Sequence, residues 1–108
     1  MRNESRDAAL LYDMLDSARS IRDLIKDLAY KDYLEDRRTR RAVEREIEII
    51  GEAARKVSES FKSSHPEVPW RKIIGQRHKL AHEYGEIQQE ILYQVATIHI
   101  PQLISLLE

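Results

Sequence analysis

Between residues 43 and 61 the chain carries the pattern that most restricts its fold. Val43, Ile47, Ile50, Ala54, Val57 and Phe61 step by 4, 3, 4, 3 and 4 residues. An α-helix puts residues so spaced on one face, whereas a strand would scatter them over both. The stepping predicts a long helix from about Thr39 to Phe61, with a seam against a second long helix. Gly51 lies near the edge of that stripe. A glycine there costs a helix roughly 1 kcal/mol relative to alanine, and a close helix–helix approach is the expected compensation.

The other segments follow the same periodicity. Leu10, Met14, Ile21, Leu24, Ile25 and Leu28, with Ala18 between them, predict a first helix over about Arg6 to Ala29, capped by Ser5 or Asn3. The stretch "YKDYLEDRRTRR", residues 30–41, mixes charges without a period and reads as a connection with frayed helix ends. "SSHPEVP" breaks the pattern, and Pro69 suits the first turn of a third helix that ends near Gly85. Ile87, Ile91, Val95, Ile98, Leu103, Leu106 and Leu107 mark a last helix that Pro101 should kink or split. No internal repeat or low-complexity tract interrupts the 108 residues. The expected architecture is all-α: one domain over residues 1–108, an up-down bundle of four to five helices.

Charge and residue usage narrow the chemistry. The net charge is −1, so no global basic field points to nucleic acid and any such contact needs a local patch. With no cysteine, disulfides, thiolate metal sites and cysteine nucleophiles are excluded. The first residues, "MRNESRDAALLYDMLD", lack the apolar run of a signal peptide, and no run reaches the length of a membrane span. A cytoplasmic protein without a membrane segment is expected.

The third helix carries the residues of interest, in "GQRHKLAHEYG", residues 75–85. On a wheel of about 100° per residue, Trp70, Ile73, Ile74, Leu80, Ala81 and Tyr84 all fall within about 60° of Arg77. Arg77 thus stands at the centre of an apolar stripe. A guanidinium cannot shed its charge, so it needs an anion there. That anion is either a carboxylate, with Glu46 the best internal candidate, or a ligand phosphate. His78 and His82 lie four apart on a flank of the same helix. They have metal-ligand spacing, but only Glu83 stands nearby, and no metal or other cofactor is expected. His82 is roughly 140° from Arg77 on a straight helix, so the two converge only by inward bending or across two facing copies.

Arginine and histidine without a carboxylate pair suit phosphodiester cleavage in RNA. Histidine can take the proton of a ribose 2′-OH near neutral pH. Arginine can hold the phosphate and stabilise charge on its oxygens, and Tyr84 can stack on a base or bond a phosphate. Taken one at a time, the same residues also fit plainer roles. Arg77 fits a buried ion pair, His82 a helix surface, and Tyr84 a core with a wet hydroxyl. The run Arg37, Arg38, Arg40, Arg41 and Arg45 is either a solvated face or an RNA contact.

Arg77, four residues, His82, one residue, Tyr84: this arrangement resembles the signature of the HepT-like toxins of the HEPN superfamily. "RAVEREIEIIGEAARKVS" at 41–58 resembles the family's second helix. "VPW" at 68–70, "IIGQRHKLAHEYGEI" at 73–87 and the final "IPQLISLLE" follow in the family's order. The resemblance implies an all-helical homodimer whose Arg77 and His82 line a groove between the copies and cleave RNA without metal. It makes Tyr84 the motif tyrosine, and His78, where the family commonly has asparagine, a further substrate-binding residue able to titrate. It also implies a partner, a nucleotidyltransferase antitoxin of the MntA type, that adenylylates Tyr84 in a toxin–antitoxin module. Alternative readings are a non-catalytic helical subunit that binds such a nucleotidyltransferase, and a nucleotide-binding module with Arg77 on a phosphate.

Overall fold

The computed structural model describes residues 2–75 and 89–108, and these are helical throughout, with short connections and no strand among them. α1 (Arg2–Ile25) is followed by the short α2 (Tyr30–Glu35), the long α3 (Arg37–Lys56) and the short α4 (Glu59–Ser64). Residues 70–75 open a further helix, α5. The C-terminal run consists of α6 (Gln89–Gln94), a π-helical turn (Val95–His99) and α7 (Ile100–Leu107).

Three contacts set the directions. Asp7, early in α1, reaches Ser58 just after α3. Leu28, just after α1, accepts a hydrogen bond at 2.7 Å from the Tyr93 hydroxyl, while Arg19 pairs with the terminal residue Glu108 at 3.3 Å. α1 is therefore antiparallel to both α3 and the C-terminal run, and packs against each of them. The core lies between these three. α1 contributes Met14, Ala18 and Ile21, α3 contributes Val43, Ile47, Ile50 and Ala54, and the C-terminal run contributes Leu92, Ala96, Ile100 and Ile104. Truncating one of the large members to alanine costs about 2–5 kcal/mol, because it removes burial and leaves a cavity.

The boundaries differ from the periodic expectation in ways that have local causes. The 30–41 stretch is not a plain connection. Tyr33 is fully buried on α2, and Asp36 caps α3, taking the Thr39 N–H at 3.1 Å and its hydroxyl at 2.8 Å. α3 consequently starts at Arg37 instead of Thr39. It also stops at Lys56, short of Phe61. Val57 and Ser58 turn extended, and the Ser58 side chain caps α4 by accepting from the Phe61 N–H at 3.3 Å. Val57 stays buried and Phe61 packs on the core, so the stripe outlives the helix that implied it. α1 ends at Ile25, four residues before Ala29, where Asp27 takes the left-handed conformation (φ 60°) that aspartate tolerates better than most residues. Gly51 is buried on α3.

Next to Pro101 the last helical run is divided, with a π turn separating α6 from α7. In that turn the Ile100 N–H bonds the Val95 carbonyl five residues back. Proline has no N–H and its ring crowds the carbonyl four residues earlier. A π turn directly before the proline relieves that crowding by widening the backbone ring. The Thr97 hydroxyl, whose carbonyl is the crowded one, donates to the Tyr93 carbonyl at 2.8 Å.

Candidate functional site

Arg77, His78, His82 and Tyr84, with Gly85, lie outside the described residues. The structure does define the two ends between which they run.

The leading end is fixed by an aromatic joint. Pro69 precedes the first helical residue, and its carbonyl takes the Ile73 N–H at 3.1 Å, so it opens α5. Trp70 is buried, and its indole N–H donates to the His65 carbonyl at 3.0 Å. His65 stacks on Phe61 with ring centres 4.0 Å apart, and Phe61 meets Trp70 edge-on at 6.1 Å. Indole and phenyl bury large apolar areas while the one polar N–H is satisfied. The short α4 and the proline turn thereby seat α5 on the core.

The trailing end is fixed by a polar bridge. Gln89 accepts from the Tyr33 hydroxyl at 2.8 Å and donates from its amide nitrogen to Glu44 at 3.2 Å. Tyr33 belongs to a ring cluster, 5.3 Å from Tyr93, with Tyr30 a further 5.2 Å from Tyr93. Burial, then the charge of Glu44, pushes the Tyr33 hydroxyl up to about 12. It therefore stays protonated and serves as a donor across the physiological range. Arg40 opposes that shift and so lies close by. Its Nε is buried with no hydrogen-bond partner. An unmet buried donor costs about 1–3 kcal/mol, which a bound acceptor would relieve.

Between these ends lies an apolar groove of about 530 Å³. Ile47 and Ile50 of α3 form its floor, Ile73 and Gly75 one wall, and Ile91, Val95, Leu103 and Leu106 the other. Ile91 and Leu106 are each 43% exposed along it. Glu67, Lys72, Gln102 and His99, the last on the π turn, are polar groups at this groove. The periodic reading missed His99. Its one sequence signal was a histidine two residues before a proline inside a helix. Among the described residues, no group of three histidine, aspartate or glutamate side chains could hold a metal ion. No described helix is long and apolar enough to cross a membrane.

A second polar cluster joins the first and third helices. Asp7 is buried and receives both the Ser58 N–H at 2.9 Å and the Ser58 hydroxyl at 2.6 Å. Those hydrogen bonds hold its carboxyl below the usual carboxylate range. Its role is to tie α1 to the α3–α4 corner.

The model of the family "Ribonuclease HepT-like" matches residues 14–108, which include α3, the whole 76–88 segment and the C-terminal run. By class, then, this is a ribonuclease. The chain is 36% identical over 100 residues to "Putative RNase MJ0127" of Methanocaldococcus jannaschii, covering 93% of this chain and 83% of that one. It is also 36% identical over 93 residues to "Probable ribonuclease HepT" of Thermococcus cleftensis, covering 86% and 84%. No solved structure matches. The chain belongs to the HepT-like ribonuclease family.

Proposed function

We propose that this protein is the endoribonuclease toxin of a toxin–antitoxin module and that it cuts RNA without metal, in the cytoplasm, as a homodimer. The observation that carries the reading is the Arg77–His82–Tyr84 spacing, which lies inside the stretch matched by the ribonuclease family. His82 takes the proton of a ribose 2′-OH, and the freed 2′-oxygen attacks the adjacent phosphorus. Arg77 binds the phosphate through its two-pronged guanidinium and stabilises the charge that builds on its oxygens. The 5′-oxygen leaves with a proton, and a 2′,3′-cyclic phosphate remains. His78 supplies a second imidazole that binds the phosphate or donates that proton.

The dimer is supported by the exposed apolar groove beside α5. Two copies related by a two-fold axis would cover each other's Ile91 and Leu106 and bring their motif segments together. Tyr84 is the residue on which a nucleotidyltransferase antitoxin places adenylyl groups, and the added phosphates repel RNA from the site.

Incubation of the purified, unmodified protein with RNA in EDTA tests the reading. Cleavage with cyclic phosphate ends, and no cleavage of DNA, is expected. A folded protein that leaves RNA intact with or without divalent metal would overturn it and leave a non-catalytic partner of the nucleotidyltransferase. Light scattering at micromolar concentration checks the dimer, and a monomer would remove the composite groove.

A further inference from the structure

We propose that the arginine-rich first half of α3 is the track on which the RNA backbone lies as it reaches the motif segment. The inference rests on the RNA-cleaving reading above and extends it to how substrate is held. Arg37, Arg38, Arg41 and Arg45 are exposed, and Arg40 is half-buried. Arg37, Arg41 and Arg45 recur every four residues, so they run along one side of the helix over about 12 Å at 1.5 Å per residue. That length matches a few nucleotides of single strand.

Folding alone gives these side chains little to do. Among the described residues, neither Arg37 nor Arg41 has an ion-pair partner, and the exposed Arg45 reaches only the half-buried Glu48, at 3.7 Å. The first turn of α3 contains no acidic residue. Arginines there oppose the helix dipole, whose positive end they crowd. Arg40 adds a buried Nε without an acceptor. Against the carboxylate that caps this helix start, Asp36, stand Arg37, Arg38 and Arg41, and that surplus of positive charge, with the unmet Arg40 donor, suits an anion from outside.

Position supplies the link to catalysis. Glu44, within this same stretch, holds Gln89. Gln89 follows Tyr84 by five residues. The chain therefore returns to the arginine-bearing half of α3 directly after the motif segment. Arginine suits the task because its fork grips phosphate oxygens whatever the base, which gives affinity without sequence choice.

Binding of a labelled single-stranded RNA to the full-length His82→Ala protein, followed by fluorescence anisotropy over a range of salt, tests this. In that background, combined Arg37→Gln and Arg41→Gln should weaken binding about tenfold or more. The salt slope should fall by about 1.4, since each phosphate contact to a single strand contributes about 0.7. Combined Arg55→Gln and Lys56→Gln removes the same charge from the far end of α3 and should change neither quantity. Arg37→Lys with Arg41→Lys should keep the slope. Equal affinity and slope in the two glutamine pairs would overturn the proposal, as would loss of nucleotidyltransferase binding with RNA binding intact. A wild-type protein that cuts no RNA while its RNA binding still depends on Arg37 and Arg41 would sink the ribonuclease reading and leave the track standing.

Discussion

The Tyr33 hydroxyl reaches across 56 residues of sequence to donate a 2.8 Å hydrogen bond to Gln89, the first described residue beyond the motif segment. Tyr33→Phe deletes only that hydroxyl. It should cost about 0.5–1.5 kcal/mol, the net worth of a neutral hydrogen bond, readable in urea unfolding. The sign of the pH effect follows from the neutral form being favoured in the fold. Tyr33 titrates near 12 folded and about 10 unfolded. Its contribution is complete below about pH 10 and is lost as pH rises towards 12. The phenylalanine variant should therefore lose less stability than wild type over that alkaline window.

Asp7 governs the opposite limb. Its folded pKa is depressed by the two Ser58 hydrogen bonds. The stability it contributes is present above the unfolded value of about 3.9 and disappears as pH falls through the lower folded value. Asp7→Asn should cost about 1.5–3 kcal/mol at neutral pH, the scale for hydrogen bonds to a charged group. It should also flatten acid unfolding below pH 4. A variant with an unchanged acid midpoint would show that the α1–α4 tie is not electrostatic.

Gly75 faces open space. A β-carbon built there meets nothing within 4 Å, and the residue has an ordinary negative φ. Gly75→Ala should stabilise the isolated chain by about 0.5–1 kcal/mol through helix propensity. Because Gly75 lines the apolar groove, the same methyl reports on the proposed dimer. If a second copy packs there, the thermal midpoint should gain less at high protein concentration than at low.

The chemistry has its own signatures. His82→Ala should lower the RNA cleavage rate by about two to four orders of magnitude, the usual effect of losing a general acid–base. Arg77→Lys keeps the charge but loses the forked grip and should also cut poorly. Circular dichroism must show both variants folded. Full activity in folded His82→Ala would transfer the proton to His78.

Mass spectrometry after co-expression with a nucleotidyltransferase addresses regulation. The wild-type chain should gain mass in adenylyl steps, and Tyr84→Phe should gain none. Modification that survives the replacement would place the switch at another residue.

How far the sequence could be read depended on which force shaped each part. The apolar stripe from Val43 to Phe61 named the core residues of α3 correctly because burial follows periodicity. It misplaced both ends of that helix. Those ends are decided by single side chains, Asp36 at the start and Ser58 at the finish, and Ser58 is held by Asp7 from 51 residues away. Residues 30–41 looked aperiodic because α2 has little more than one turn, too short to show a repeat. Its one buried residue, Tyr33, became informative only through a partner far along the chain. The motif residues were legible as a spacing and a resemblance, and the family match agrees with that resemblance. Gln89 and Arg40 carried no signal of their own, since a glutamine after an apolar helix or an arginine among arginines is ordinary.

The widened turn before Pro101 also acts as a phase corrector. Leu92, Ala96, Ile100 and Ile104, all buried, advance in steps of four. On a uniform helix of about 100° per residue, those three steps would wind the stripe round by roughly 120°, carrying Ile104 off the face that Leu92 occupies. The surplus residue in the turn takes that winding back, so Leu92, Ala96, Ile100 and Ile104 all stay buried along the run. Removing one residue between Val95 and His99 would close the turn to a regular α-helix and leave Ile104, then eleven residues beyond Leu92, within about 20° of it. Adding a further residue there would instead turn everything beyond it by about a quarter turn, carrying Ile104 off the face it shares with Leu92.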